Sequence, residues 1–203
     1  MKILFATKNN GKIKEIKEIF NDTSYEICSL NDVYESIDID ENADTFEGNA
    51  IIKALAIMKE AGVMVLADDS GLEVDYLNKE PGVYSARFLG EDTPQSEKNT
   101  YIMKQLEGVE DRLRTARFVC AMACAMPGKE PFTIRGTIEG YIPKEAKGDN
   151  GFGYDPIFYV PEFNKTMAQL TMEEKNEISH RGQALRKMKQ EILRRGYINN
   201  EDK

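Results

Sequence analysis

The pattern of apolar and polar positions predicts alternating strands and helices along most of the chain. Short apolar runs predict strands at Lys2–Thr7, Tyr25–Leu30, Val63–Ala67, Arg114–Met126, Pro131–Glu139 and Phe158–Val160. Apolar residues at three- or four-residue spacing predict helices at 13–20, Thr45–Ala61, Gln95–Leu106, Thr166–Glu174 and Ser179–Arg195. Ser36–Asp44 and 148–156 are predicted loops.

This alternation predicts an α/β fold with an elongated, mixed β-sheet and flanking helices. Pro127-Gly128 separates two strand-like runs and predicts a hairpin, so the sheet contains antiparallel as well as parallel neighbours. The 203 residues suffice for one domain, elongated enough for two lobes, and we expect a single domain over residues 1–203. The polar tail from about residue 196 is expected to be frayed.

The run Val63–Ala67 ends in two adjacent carboxylates, Asp68 and Asp69, which are followed by Ser70. Neighbouring carboxylates raise each other's pKa unless a cation or hydrogen-bond donors compensate. We expect the strand to end here, so that the turning chain lets both carboxylates line one mouth. Mg²⁺ takes carboxylate and phosphate oxygens together, and it would neutralise the pair. A turn or cap explains one aspartate at this edge better than two.

Composition and charge narrow the classes of partner. The net charge of −8 argues against binding nucleic acid through a basic surface, although a small polyanion remains compatible if a few lysines and a divalent cation are focused in one place. No apolar run approaches the ~20 residues of a membrane span, and no signal peptide is expected at the N-terminus. Cys28, Cys120 and Cys124 lack metal-ligand spacing and predict reduced thiols in a cytoplasm, the latter two as core residues.

Two polar segments in the first half could bind phosphate or metal. TKNNGK, residues 7–12, lies between a strand and a helix, where backbone N–H groups favour phosphate and Lys8 and Lys12 add charge. Taken alone, a polar turn with a helix cap explains this segment better. Acids crowd the start of the Thr45–Ala61 helix, where the dipole alone favours them, but Glu41 precedes the helix and is freer to reach a ligand. Asn49 and Lys53 share one helix face.

Two further segments, in the second half, could bind a nucleobase. In GDNGFGYDP, residues 148–156, glycines flank Phe152, whose ring could stack on a planar base while Asp155 accepts from base N–H groups. His180 is the single histidine of the chain, and alone it is more often a structural or surface residue. Next to Arg181 and after Ser179, it is more typical of an anion or base clamp.

Together these segments resemble the inosine triphosphate pyrophosphatase family over nearly the whole chain. The resemblance is carried by ILFATKNNGKIKEI, ADDSGLEVD, PGVYSARF, GFGYDPIF and EEKNEISHRG, in that order. It implies a two-lobed fold around a central nucleotide-binding cleft, a homodimer and a Mg²⁺-dependent reaction. ITP, dITP or XTP would be hydrolysed between the α- and β-phosphates to the monophosphate and pyrophosphate.

The resemblance also implies residue roles. Asp69 would be the catalytic base, and Glu41, Asp68 and Asp69 would hold the Mg²⁺. The implied substrate-binding residues are Thr7, Lys8, Asn9, Asn10, Gly11, Lys12, Lys53, Ser70, Phe152, Gly153, Tyr154, Asp155, Lys175, His180 and Arg181. Donors from His180, Arg181 or loop N–H groups would favour the 6-oxo group of inosine and xanthosine. Guanine shares that group, so rejecting GTP needs a further clash or an unpaired donor.

Two other functions remain open at this point. A pyrophosphatase of related architecture could act on modified or standard pyrimidine nucleotides, such as dUTP or TTP. A nucleotide-binding regulator could use the same site without hydrolysis, although two acids beside a lysine-containing loop exceed what binding needs. We therefore expect an enzyme with a small-molecule substrate, and neither nucleic acid nor membrane as a partner.

Overall fold

The computed structural model describes residues 2–32 and 39–197. Within these ranges the strands are β1 (Lys2–Phe5), β2 (Glu26–Ser29), β3 (Met64–Val74), β4 (Thr115–Ala125), β5 (Phe132–Tyr141), β6 (Tyr159–Val160) and β7 (Lys165–Thr166). The α-helices are α1 (Asn10–Ile19), α2 (Phe46–Ala61), α3 (Gln95–Gln105), α4 (Met172–Ile178) and α5 (His180–Arg194). In this part of the chain, no helix has the length and apolarity required to cross a membrane.

The strands form one mixed sheet in the order β2-β1-β3-β4-β5-β6-β7. β1 pairs in parallel with β2 and with β3, whereas β6 pairs antiparallel with β5 and with β7. The predicted α/β class and mixed sheet are confirmed. Backbone contacts divide the chain into two compact units, and each of β3, β4 and β5 contributes residues to both.

Unit 1 comprises residues 1–69, 120–136 and 181–203, and in it both faces of the sheet are covered by helices. In β3, Met64 and Leu66 pack in a cluster with apolar residues of α1 and α5, whereas Val65 and Ala67 pack with residues of α2. Side chains of a strand alternate between its faces, so even-numbered residues here face α1 and α5 and odd-numbered residues face α2. This alternation decides where the two aspartates of β3 point.

Unit 2 comprises residues 70–119 and 137–180, and its sheet has one apolar and one charged face. Leu72 and Val74 of β3 pack in a core with residues of α3, β4 and β5. Arg117 of β4 donates to Asp75 and to Glu139, at 2.9 Å and 2.8 Å. The alternation of apolar and charged residues is typical of a strand with one solvated face.

The ends of the two long helices of unit 1 follow from their capping residues. Asn9 caps α1, accepting through Oδ1 from the N–H groups of Gly11 and Lys12. Thr45 caps α2, and Gly62 ends it with φ of 67°, the left-handed conformation that glycine adopts without strain. The helix predicted at Thr45–Ala61 is confirmed, with Thr45 as its cap.

The predictions of two elements are wrong, and two further predicted segments lie partly outside the described residues. β3 continues to Val74, so the prediction that the strand ends at the two aspartates is wrong; the polar residues after Ala67 hide seven further strand residues from an apolar-run criterion. The predicted helix Thr166–Glu174 is wrong, because Lys165–Thr166 pairs with β6 and α4 begins at Met172, after its cap Thr171. Of the predicted loop Ser36–Asp44, residues 36–38 lie outside the described residues, as do residues 198–203 of the predicted frayed tail.

Candidate active site

The paired aspartates lie on opposite faces of β3 rather than at one mouth. Asp68 has the same parity as Leu66 and points towards α1 and α5, where Lys12 and Arg181 lie beside its carboxylate. Asp69 points towards α2, where Asn49 donates to it. The expectation that both carboxylates line one mouth is therefore wrong, because the strand does not turn at this point.

Asp68 is buried in a network of cations. Lys12 Nζ donates to Asp68 Oδ2 at 2.7 Å, and the guanidinium of Arg181 lies 3.5 Å from the same oxygen. Lys53 Nζ donates to the backbone carbonyl of Asp68 at 3.1 Å. Burial works to raise the pKa of Asp68, but Lys12, Arg181 and Lys53 outweigh it and hold the pKa well below its ordinary value. Asp68 is thus an ionised anchor for two cationic side chains.

Asp69 has the opposite electrostatic environment. Burial raises the pKa of Asp69 to about 6, and the negative charges of Glu41 and Asp68 add to this effect. The hydrogen bond from Asn49 Nδ2, at 3.0 Å, and the charge of Lys53 act against it. A carboxylate whose pKa lies near 6 is ionised at neutral pH and basic enough to accept a proton from water.

The side chain of Asn49 links Asp69 to the segment that precedes α2 through hydrogen bonds. Its side chain is fully buried, and its Oδ1 accepts from the N–H of Ala43 at 2.9 Å while its Nδ2 donates to Asp69. Sequence reasoning placed Asn49 on the same helix face as Lys53 but did not include it among the site residues. The four-residue spacing was the available signal.

The segment 7–12 surrounds the start of α1. Thr7 is buried and its Oγ1 accepts from the N–H of Asn9, whereas Lys8 and Asn10 are exposed. The cap uses Asn9 to satisfy N–H groups of the first turn. Lys12 reaches from this turn to Asp68. Lys12 therefore joins the predicted phosphate-binding segment to the aspartate pair.

The predicted metal ligands form no three-acid cluster within residues 2–32 and 39–197. Glu41 lies near enough to Asp69 to raise its pKa, and Lys53 Nζ is 2.9 Å from Glu41 Oε1. Asp68 lies on the other face with its cations. Mg²⁺ is usually held by one or two carboxylates together with water and substrate phosphates, so Glu41 and Asp69 fit this ion without a third carboxylate.

A second cluster, in unit 2, is built around the loop 148–156. Asp155 is buried, and its Oδ2 accepts from the N–H of Phe152 at 2.9 Å and from Lys175 Nζ at 2.5 Å. Lys175 Nζ also lies 4.9 Å from the centre of the exposed Phe152 ring. Gly151 is required here, because a Cβ on it would lie 2.2 Å from Asp155 Oδ2.

These contacts refine the predicted role of Asp155. Its carboxylate is engaged by the loop and by Lys175, so it organises the loop, and its direct contact with a base remains a prediction. The side chain of Phe152 is 62% exposed, so its ring can stack on a ligand.

Of the remaining predicted residues, His180 and Arg181 lie at the start of α5 and Ser70 lies within β3. His180 begins α5, and its ring stacks on Phe118 at 5.2 Å between centroids. Ser70 is a half-buried residue of β3, directly after Asp69. Arg181 is buried and lies 3.6 Å from Glu15 Oε2 as well as beside Asp68, so its guanidinium is held by two carboxylates. Neither contact of Arg181 was foreseen from the sequence, where no local pattern links α5 to α1 and β3.

The chain is similar to known proteins over most of its length. The model of the Ham1 family matches residues 3–191. A dITP/XTP pyrophosphatase of Bacillus licheniformis is 50% identical over 186 residues, which are 92% of this chain and 95% of that protein.

Two solved structures have the same fold. A HAM1 protein from Coxiella burnetii is 39% identical, with a TM-score of 0.89, and the match covers 96% of this chain and 99% of the other. The Ham1 protein of Staphylococcus aureus is 42% identical, with a TM-score of 0.87, over 96% and 98% of the two chains.

Proposed function

Because the chain belongs to the Ham1 family, we propose that it hydrolyses non-canonical purine nucleoside triphosphates. ITP, dITP and XTP are the proposed substrates, and the nucleoside monophosphate and pyrophosphate are the products. Removal of these nucleotides cleanses the pool from which nucleic acids are made. The observation that carries the proposal is the 50% sequence identity, over nearly the full length, to a protein named dITP/XTP pyrophosphatase.

The catalytic base in this proposal is Asp69. Its carboxylate takes a proton from water, and the resulting hydroxide attacks the anhydride between the α- and β-phosphates, from which pyrophosphate leaves. The pKa near 6 supports this role, since such a group is ionised at pH 7 and still a competent base. The hydrogen bond from Asn49 supports it too, because it fixes the carboxylate in one orientation.

The triphosphate would be bound by lysines and by the start of α1. Lys12 and Lys53 supply positive charge on either side of β3, and the exposed residues Asn10 and Gly11 lie in the first turn of α1, where the helix dipole favours an anion. Asp68 keeps Lys12 and Arg181 in place. Cleavage of a phosphoanhydride depends mainly on such positioning and charge neutralisation.

Glu41 and Asp69 would hold Mg²⁺ together with phosphate oxygens. When bound, the ion neutralises phosphate charge and polarises the anhydride. Asp68 is left out of this pair, because its carboxylate is engaged by Lys12 and Arg181. This assignment narrows the three predicted metal ligands to two.

The unit 2 cluster would bind the nucleoside. The exposed ring of Phe152 supports stacking on a base, and Lys175 and the loop 152–155 supply donors for the base or sugar. Ser70 and His180 are proposed contacts of the same substrate. The buried ion contacts of Arg181 support a role beside Asp68, in addition to the proposed donation to a 6-oxo group.

A panel of nucleoside triphosphates, scored for pyrophosphate with and without Mg²⁺, tests this function. ITP, dITP and XTP should be hydrolysed much faster than GTP, ATP, UTP, dUTP and TTP. Turnover of the pyrimidines at the rate of ITP would instead favour the pyrimidine pyrophosphatase. No pyrophosphate from any nucleotide at any Mg²⁺ concentration would favour the regulator.

The proposed assembly is a homodimer in the cytoplasm. Free cysteines support a reducing compartment: Cys120 and Cys124 are buried as predicted, and Cys28 is half-buried. Tyr76, Tyr84 and Leu89 of unit 2 are large side chains that are about half exposed, which supports a protein interface. Light scattering coupled to gel filtration measures the assembly, and a mass of one 23.0 kDa chain would contradict the dimer.

A further inference from the structure

A row of three polar residues on α3 holds two loops of unit 2 through hydrogen bonds. We call it the α3 row: Gln95, Lys98 and Asn99. Asn99 Nδ2 donates to the carbonyl of Gly153 at 3.1 Å, and Gln95 Nε2 donates to Asn99 Oδ1 at 3.0 Å, which orients the Asn99 amide. Lys98 is 3% exposed and its Nζ donates to the carbonyl of Ala86 at 2.6 Å.

The loop that the α3 row reaches is held at Phe152 and Gly153 by polar contacts, whereas the next residue, Tyr154, is buried in the core of unit 2. An ideal Cβ on Gly153 would meet no heavy atom within 4 Å, and the neighbouring Phe152 ring is mostly exposed. The backbone here is held by the bond from Asn99 to Gly153, by the bond from Phe152 N–H to Asp155 and by the bond from Asp155 N–H to the carbonyl of Phe152. Of these, the bond from Asn99 is the one that ties Gly153 to α3, so its loss loosens the loop at this residue.

Further hydrogen bonds connect the same loop to β3. The hydroxyl of Tyr154 donates to the carbonyl of Ser85 at 2.8 Å, and the N–H of Leu72 donates to Ser85 Oγ at 2.9 Å. Ser85 is buried, so these bonds are shielded from water. The position of Gly153 relative to β3 is therefore set on one side by Tyr154 and on the other by Asn99.

We propose that Asn99 is a positioning residue that sets discrimination among purine bases by holding the backbone of the Phe152 loop. The inference rests on the proposed function, in which this loop contacts the base. To reject guanine, the site must keep a steric clash with the base or leave a donor unpaired. A loop held by one fewer hydrogen bond moves more easily, and this movement relieves the clash or pairs the donor. Asn99 acts through the carbonyl of Gly153, to which its amide donates.

Two measurements on Asn99→Ala test the proposal, with Thr100→Ala as the matched control on an exposed position of the same helix. The first is kcat/KM for ITP and for GTP. Loss of one hydrogen bond should lower the ITP/GTP ratio of these constants about threefold to tenfold, with the control unchanged. The second is amide hydrogen exchange, which should become faster across residues 150–155 in Asn99→Ala alone.

The outcomes separate this inference from a merely structural role and from the proposed function. Equal losses for ITP and GTP, or unchanged exchange in the loop, would overturn it. If Asn99→Ala does not fold, Gln95→Ala removes the bond that orients the Asn99 amide, and it should shift the ratio in the same direction by a smaller factor. The wild-type ITP/GTP ratio tests the proposed function, whereas the change of that ratio in the variant tests the role of Asn99.

Discussion

The two faces of β3 in unit 1 treat neighbouring carboxylates in opposite ways. On the α1 and α5 face, Asp68 is surrounded by Lys12 and Arg181 and stays ionised. On the α2 face, Asp69 has an amide donor in Asn49 and a nearby carboxylate in Glu41, and its pKa rises to about 6. Side-chain alternation along a strand can therefore give two consecutive carboxylates different roles, one as an ionised anchor and the next as a base.

Asp69→Asn should have the largest effect on activity. An amide cannot take the proton from water, so kcat should fall about 10²- to 10⁴-fold while the fold is retained. Steady-state pyrophosphate release measures the loss, and circular dichroism checks the fold. Asp44→Asn, at an exposed acid before the same helix, is the control and should keep normal turnover. Near-normal turnover of Asp69→Asn would remove Asp69 from the role of base.

Asp68→Asn should chiefly lower stability. The variant leaves Lys12 and Arg181 without their shared counter-charge in a buried site, which should cost about 3 kcal/mol of unfolding free energy. Urea unfolding at pH 7 measures it. Glu191→Gln, which removes the ion pairs with Arg194 and Arg195 on α5, is the control and should cost much less. If both variants lose the same free energy, the cation network around Asp68 is not the anchor described here.

The two aspartates should also differ in how their contribution to stability depends on pH. Folded Asp69 keeps its proton up to about pH 6, whereas the unfolded chain releases it near 3.8, so lowering the pH through this window stabilises the fold. Relative to wild type, Asp69→Asn should therefore be more stable by about 2 kcal/mol at pH 7.5, and this gain should vanish towards pH 4. Unfolding in EDTA across this range measures it.

For Asp68 the sign is reversed. Its pKa is lowered in the fold, so its stabilising contribution is fully present above pH 4 and is lost as the pH falls further. The deficit of Asp68→Asn should accordingly stay constant from pH 7.5 to 4.5. Parallel curves for the two variants over that range would contradict the division between the two faces.

Of the three variants, Asn49→Ala should have the smallest effect. It removes the hydrogen bond that lowers the pKa of Asp69, so this pKa should rise above 6, and kcat should fall about tenfold at neutral pH. Carbon-detected NMR of the metal-free protein follows the carboxylate, and Lys59→Ala, exposed on α2, is the control. A lowered or unchanged pKa would show that Asn49 does not set the charge state of Asp69.

Periodicity in the sequence predicted α1, α2, α3 and α5 and both long strands of the hairpin region, because each buries an apolar stripe or run. It did not predict the second half of β3, where Leu72 and Val74 alternate with polar residues and the apolar-run signal is lost. The identity of the acids was available from the sequence. The face of β3 on which each aspartate lies was not available, since it depends on whether the strand turns at Asp69.

The contacts of Arg181 could not be predicted, because they join α5 to α1 and β3 through tertiary packing. Asn99 was missed for a related reason. Its amide looks like an ordinary polar surface residue of an amphipathic helix, and only the folded loop brings the carbonyl of Gly153 to it.

The continuity of β3 through Asp68 and Asp69 also restricts how the length of the chain can vary. Inserting or deleting one residue between Val65 and Asp68 would turn every following side chain to the other face. The carboxylate of Asp68 would then face Asn49 and no longer Lys12 and Arg181. Gly62, an exposed position before the strand with no neighbour near its Cβ, offers room for such a change. The number of residues in this strand is therefore fixed by the faces that Asp68 and Asp69 must occupy.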